Sequence, residues 1–282
     1  MMKVAIQGGK ASFHEVAVNY YFNGEASSIY CKTFREVCDA LAKGTVDFAA
    51  MAIENSIAGS LLGNYKLLQE YKFNIVGEIQ LRIQQNLIVF PGVSVNDIKG
   101  VKSHPVALMQ CEEFFLNHPH LVPEEFHDTA DSVKFIKENH LREYGAIASK
   151  LAAEVYGMEI PEGGEGIETE KKNFTRFFIL SAKKLPRTEA SEKATLSFQL
   201  PNKVGTLASL LKVIVDKNIN LTKIQSIPII GKPEEYTFYV DCEWTNYDDF
   251  KKSLEVKSLV TDLRILGEYK KGQTIYDHSK GR

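Results

Sequence analysis

The sequence predicts a two-lobed α/β body followed by a smaller α+β domain. Three observations carry this reading. Apolar runs of strand length alternate with stretches of helical periodicity over the first two thirds of the chain. A charged stretch with a proline and no periodicity, SAKKLPRTEASEK, interrupts that pattern. After it the periodicities follow the order β-α-β-β-α-β, the ferredoxin-like arrangement. The 282 residues leave room for two domains at roughly 100–200 residues each.

The elements follow in order. MKVAIQ is a β-rich run that ends at Gly8-Gly9. SFHEVAVNYYF has helical spacing, with Phe13, Val16, Ala17 and Tyr20 on one face. TFREVCDALAKG is a second helix, capped by Thr33 and closed by Gly44. VDFAAMAI is an apolar strand that ends at Glu54-Asn55-Ser56. Nearly all-apolar strands between helices argue a parallel sheet covered on both faces. A second set runs through NIVGEIQLRIQQNLIVF, IKGVKSHPVALMQCEEFFL, TADSVKFIKEN and YGAIASKLAAEVYG. The glycine-rich turn PEGGEGIE and the strand TRFFIL follow. The body then spans 1–182, with one lobe of about 1–79 plus 160–182 and another of 80–159. Residues 183–192 read as a linker, 193–272 as the α+β domain and 273–282 as a tail. Two α/β lobes offer a cleft between them, a usual place for a ligand.

Composition excludes several classes. Hydrophobic residues make up 44% and charged residues 25%, as in an ordinary globular protein. A net charge of -2 gives no broad attraction to nucleic acid or to an anionic membrane. MMKVAIQGGKASF lacks the apolar core of a signal peptide, and no apolar stretch approaches the roughly 18–20 residues that span a bilayer. Cys31, Cys38, Cys111 and Cys242 match no zinc or disulfide spacing, so a reducing cytoplasm is expected.

The stretch NFTRFFIL poses the functional question. Phe177, Phe178, Ile179 and Leu180 read as a buried strand, yet Asn173, Thr175 and Arg176 stand at its mouth. An amide, a hydroxyl and a planar guanidinium make a recognition set for an anion and a hydroxyl. The plainer alternative is a surface Arg beside a β-preferring Thr. IENSIAGS places Glu54, Asn55, Ser56 and Ser60 behind a buried strand, where strand ends face a ligand crevice. A polar turn with Asn55 or Ser56 as a helix cap explains it equally well. GGKAS lacks the remaining positions of a phosphate loop, so nucleotide binding is rejected. Its tight turn still suits an anion at Gly9, and Ser12 is either a helix cap or a ligand contact. His104, before a proline, and the pair His118 and His120 read as structural.

Taken together, GGKASFHEVA, AIENSIAGS, VKSHPVALMQC, DTADSV, GAIASKLAAEVYG and NFTRF resemble the sequence blocks of prephenate dehydratases across almost the whole chain. The body of that family is periplasmic-binding-protein-like in layout. The last part is similar to an ACT domain, the amino-acid-sensing module of these enzymes. The resemblance implies that prephenate loses CO2 and water to give phenylpyruvate on the route to L-phenylalanine, with no metal or organic cofactor. It implies Thr175 and Arg176 as catalytic residues, Arg176 clamping a carboxylate and Thr175 bonded to the departing hydroxyl. Gly9, Ser12, Glu54, Asn55, Ser56, Ser60, Asn173 and Phe177 would bind the substrate.

An L-phenylalanine effector site is implied in the ACT part. The effector motifs appear as GTLASLL and QSIP, the second standing where Glu-Ser-Arg-Pro is usual. The implied contacts are Asn202, Gly205, Thr206, Leu207, Asn220, Leu221, Ser226 and Pro228. Binding between ACT domains of two subunits implies a homodimer or homotetramer. The chain departs from the family at LRIQQ, with Arg82 and Gln85 where Pro and His are common. Two other readings stand beside this one: a non-enzymatic amino-acid sensor, and the same chemistry on arogenate, the amino form.

Overall fold

The computed structural model describes residues 1–229 and 231–276. These fall into two compact units: one of 1–61, 79–177 and the stretch from Thr274 onward, the other of 62–78 and 178–273.

In chain order the first elements are β1 (Met2–Gln7), α1 (Phe13–Tyr21), β2 (Ala26–Cys31), α2 (Phe34–Ala42), β3 (Phe48–Asn55) and β4 (Gly59–Ser60). Then come α3 (Leu62–Tyr71), β5 (Asn74–Arg82), β6 (Asn86–Ile88), β7 (Gly100–Ser103), α4 (Pro105–Gln110), α5 (Glu112–Asn117) and β8 (Val122–Glu125). The body closes with α6 (Thr129–Glu138), β9 (Tyr144–Ala148), α7 (Lys150–Tyr156) and β10 (Phe174–Ser181). The first sheet has β5, β10, β3, β1 and β2 side by side, and β1 runs parallel to both β2 and β3. The second has the order β6-β9-β7-β8. There β7 is parallel to β8 and β9, while the edge strand β6 is antiparallel to β9. The sequence pattern led us to expect parallel pairing throughout. One antiparallel edge is a common feature of such sheets.

Caps explain where the helices begin. The Glu15 N–H donates to Ser12 Oγ at 3.5 Å, and the Glu36 N–H to Thr33 Oγ1 at 3.1 Å. The Asp131 N–H donates to Asp128 Oδ1 at 3.0 Å, so α6 starts on a buried carboxylate. Each bond satisfies one of the N–H groups left over at a helix start. Val16, Ala17, Ile79, Leu81, Ile83 and Phe177 pack between α1 and the first sheet. Among the described residues, no helix is long and apolar enough to cross a membrane.

The second unit carries β11 (Lys193–Gln199), α8 (Thr206–Asp216), β12 (Asn220–Pro228), β13 (Tyr236–Glu243), α9 (Tyr247–Ser253) and β14 (Thr261–Tyr269). Its sheet is antiparallel, with the order β12-β13-β11-β14. Leu196, Phe198, Leu210, Val240, Trp244 and Phe250 fill its core.

The sequence reading kept 62–78 in the first lobe, but they belong to this unit. The Tyr65 ring meets that of Tyr239 at 4.8 Å, and Tyr239 Oη donates to the Tyr65 carbonyl at 3.3 Å. A Cβ on Gly267 would collide with the Ile75 backbone, so only glycine allows β14 that close. The supposed tail also differs. Thr274–Ile275 forms β15, which runs parallel to β5 with Thr274 paired to Gln80. The remaining residues read as tail, 277–282, lie outside the described residues.

Lys193 is buried and contacts Glu78 Oε1 at 2.9 Å and Glu243 Oε1 at 3.5 Å. Glu78 Oε1 also accepts the Gly272 N–H at 3.1 Å. Removing one partner leaves the other charge buried without compensation. Lys193→Met should therefore destabilise the chain by about 3–5 kcal/mol. Urea unfolding would show a lowered midpoint, and the double variant with Glu78→Leu should recover much of the loss.

Candidate functional site

A cavity of about 340 Å³ opens in the first unit. Its walls come from the first sheet and from helices and loops. Asn55, Thr175 and Phe177 stand at the ends of β3 and β10, while α4 and α6 bring His104, Gln110, Asp128 and Thr129. Ser12 and Phe13, at the start of α1, face it too. Helices α1, α2, α4 and α6 all begin at the cavity, and their starts carry partial positive charge there. Among its described lining residues there is no Lys or Arg, and the titratable groups are Asp128, His14 and His104.

His14 is held neutral. Burial pushes its imidazole down to about 4. Its Nε2 accepts the Ala52 N–H at 3.4 Å, which also requires an unprotonated nitrogen. Its ring packs edge-on against Phe177 at 4.9 Å. Burial raises the Asp128 carboxyl above its usual range, against the opposing pull of the Asp131 N–H. His104 Nδ1 accepts the Val106 N–H at 3.2 Å and caps α4, in keeping with its structural reading.

Behind the cavity runs a chain of side-chain amides. Asn55 Oδ1 accepts the N–H groups of Ile57 at 3.0 Å and Ala58 at 2.8 Å. Its Nδ2 must then be the donor end. It donates to Asn173 Oδ1 at 2.7 Å and to Thr175 Oγ1 at 3.0 Å. Asn173 Nδ2 in turn donates to Gln110 Oε1 at 3.0 Å, which also accepts from Gln85 Nε2 at 3.2 Å. Thr175 Oγ1 already accepts a hydrogen bond from protein, so its O–H is left to donate.

Of the residues singled out from the sequence, Ser12, Asn55, Thr175 and Phe177 line the cavity. Asn173 is fully buried and reaches it only through Gln110 and Asn55. Ser56 stands outside the lining; its Oγ donates to the Lys172 carbonyl at 3.0 Å and accepts the Phe174 N–H at 2.9 Å. Glu54 and Ser60 pair across β3 and β4. Arg176 does not join Thr175 and Phe177 in the lining. It falls between them on a strand whose side chains alternate, is 5% exposed, and faces Glu54 at 3.8 Å. Gly9 is not in the lining either. A Cβ there would collide with the Asp131 carboxylate, and the Gly8 N–H donates to the Cys31 carbonyl at 3.0 Å. The turn therefore packs on carboxylates, a poor surface for an anion.

The sequence reading passed over His14, Gln110 and Asp128 as site residues. The one available signal was a lone polar Gln110 at the end of the apolar helix VALMQ.

Comparison with known proteins bears on this geometry. The family model described as prephenate dehydratase matches residues 4–185. Arogenate dehydratase 2 of Petunia hybrida is 36% identical over 95% of this chain and 71% of its own length. A solved prephenate dehydratase from Arthrobacter aurescens, in complex with L-Phe, has a TM-score of 0.84 at 25% identity, covering 95% of this chain and 90% of that one. A structure described as GqqA, a novel type of quorum quenching acylase, has a TM-score of 0.85 at 28% identity, covering 96% and 98%. With a family model matched over more than half of its residues, the chain belongs to the prephenate dehydratase family of lyases.

Proposed function

We propose that the cavity binds prephenate and that Thr175 acts on its departing hydroxyl. The observation that carries this is the bond from Asn55 Nδ2 to Thr175 Oγ1, which fills one acceptor position of a hydroxyl on the cavity wall and leaves its O–H to donate. The bond between the ring and its carboxylate breaks and CO2 leaves. The electron pair enters the ring as the C–O bond opens, and the oxygen departs as water after taking one proton from solvent. A neutral hydroxyl at that oxygen stabilises the charge that develops on it. Aromatisation supplies the driving force, and the walls supply position. No metal or organic cofactor enters this reading.

A substrate carboxylate is assigned to the start of α1, next to Ser12, because the start of α6 is already taken by the Asp128 carboxylate. Arg176 is assigned a positioning role through Glu54 in place of a carboxylate clamp. Neutral His14 presents an apolar edge beside Phe177 and takes no part as an acid. An acylase activity, as named for the GqqA structure, has less support: the Thr175 hydroxyl oxygen accepts from an amide and pairs with no base.

Within the second unit, 193–272 is proposed as an ACT regulatory domain, joined by 183–192 to a catalytic 1–182 whose stretch 62–78 packs with it. Its β-α-β-β-α-β order supports this. Asn202, Gly205, Thr206 and Leu207 line a separate cavity of about 470 Å³ at the start of α8. Asn220, Leu221, Ser226 and Pro228 lie along β12, an edge strand of the sheet. L-phenylalanine bound between the two surfaces in a homodimer or homotetramer is the arrangement proposed. Four free cysteines among the described residues agree with a reducing cytoplasm.

The reading is tested by phenylpyruvate formation from prephenate, with and without phenylalanine. Turnover suppressed by phenylalanine is expected. Turnover indifferent to phenylalanine would remove the effector assignment, and no turnover would remove the catalytic one. Thr175→Ala should lower kcat by about 10²–10³-fold, as loss of one preorganised donor does, while Thr175→Ser keeps most of the rate.

The pH dependence of stability has a definite sign. The unfolded chain protonates His14 near its ordinary 6.5, the folded chain only near 4. Its contribution is complete above 6.5 and is lost as the pH falls towards 4. In thermal melts across that range, His14→Gln should lose less Tm on acidification than the unaltered chain does.

A further inference from the structure

His14 has one nitrogen that the rest of the site leaves unexplained. Its ring lines the cavity from the first turn of α1, two residues after Ser12. Two aromatic neighbours hold the ring, Phe177 edge-on at 4.9 Å and Phe34 at 5.4 Å. The bond from the Ala52 N–H to Nε2 at 3.4 Å fixes which way round it stands. The neutral ring therefore carries its proton on Nδ1. Nδ1 makes no hydrogen bond to any described residue. It is not sealed in protein either: His14 is only partly buried, and Nδ1 is not among the described polar atoms that are both enclosed and unpartnered. Packing needs only a ring, and the Ala52 contact needs only one nitrogen. An accessible N–H donor, held rigidly on the wall of a cavity with no Lys or Arg among its described lining, is left for an acceptor on the ligand.

We propose that His14 Nδ1–H is a substrate-binding donor and that it holds the carboxylate which the reaction keeps. The proposal rests on the dehydratase reading above, and it specifies which carboxylate stands at the start of α1. The two carboxylates of prephenate fare differently in the reaction. The one on the ring leaves as CO2, so its charge drains into the ring and out to the departing oxygen. Donors placed on it would stabilise the ground state more than the transition state and slow the step. The side-chain carboxylate keeps its charge throughout. Donors there bind substrate and transition state alike, without loss of rate. His14 reinforces the partial positive charge of the helix start without adding a full charge. No proton leaves the imidazole in this role.

The test is steady-state turnover of prephenate by the full chain, by His14→Phe and by His14→Asn, with phenylpyruvate as a competitive inhibitor of each. Phenylpyruvate retains only the side-chain carboxylate. His14→Phe keeps the ring and removes the donor, so the KM for prephenate should rise roughly 10–100-fold with kcat little changed. The Ki of phenylpyruvate should rise by the same factor. His14→Asn, whose amide N–H can stand where Nδ1–H does, should recover most of both. An unchanged KM in His14→Phe overturns the proposal, and so does a raised KM with an unchanged phenylpyruvate Ki, which would place the donor on the departing carboxylate. Equal losses in the two variants also overturn it, since they would mark His14 as packing alone. If His14→Phe does not fold, the unaltered chain labelled with 15N-histidine decides: the His14 Nδ1–H resonance should move downfield on adding phenylpyruvate, and a resonance that stays in place overturns the proposal. Each of these failures leaves the dehydratase reading intact. Absence of turnover by the unaltered chain overturns both.

Discussion

Two backbone N–H groups, those of Ile57 and Ala58, set the polarity of the site. Both donate to Asn55 Oδ1 in the turn that follows β3. Gly59, at φ +79, lets the chain fold back there, which brings those N–H groups round to the side chain. Everything downstream inherits that choice. Asn55 becomes a donor to Asn173 and Thr175, and each later amide has one orientation that avoids donor facing donor. Most of these atoms are buried, so a single reversed amide would leave several groups unpaired at once. The turn at the end of β3 thereby leaves the Thr175 hydroxyl as a donor.

The same economy shows in how the cavity meets charge. In the proposed reading it takes an anion with two carboxylates and uses no cationic side chain among its described lining. The fixed backbone dipole at the start of α1 takes that part, and it needs no long side chain to be ordered on binding. The neutrality of His14 follows the same line. A protonated imidazole beside Phe177 would lose its Ala52 contact and bury a charge.

How much of this the sequence disclosed depended on the range of the interactions. Ser12 and Thr33 were readable as caps because a cap and the N–H it satisfies lie three residues apart. The β-α-β-β-α-β order was readable because each element declares its own period. The attachment of 62–78 to the second unit was not, since it rests on Tyr65 meeting Tyr239 and Ile75 meeting Gly267. Those partners are far apart in the chain, and nothing local marks them. Gln85 and Gln110 were hidden for the same reason: their meaning lies in Asn173 and Asn55. Arg176 is a different case. The two-residue period of a strand already separates it from Thr175 and Phe177, so its reverse-face position was present in the sequence and outweighed by the attraction of a guanidinium for a carboxylate.

That alternation also explains why a residue outside the cavity matters to it. A slip of β10 by one residue would exchange its faces, turning Arg176 towards the cavity and Thr175 away from it. Ser56 opposes the slip with three bonds. Its N–H donates to the Phe174 carbonyl at 2.8 Å, its Oγ accepts the Phe174 N–H, and its Oγ donates to the Lys172 carbonyl. The contact between Glu54 and Arg176 acts on the other face in the same sense, since it forms only in the observed register. The Glu-Asn-Ser run at the end of β3 thus divides its work. Glu54 and Ser56 hold the neighbouring strand in register, and Asn55, between them, uses that register to orient the one hydroxyl on which the chemistry is built.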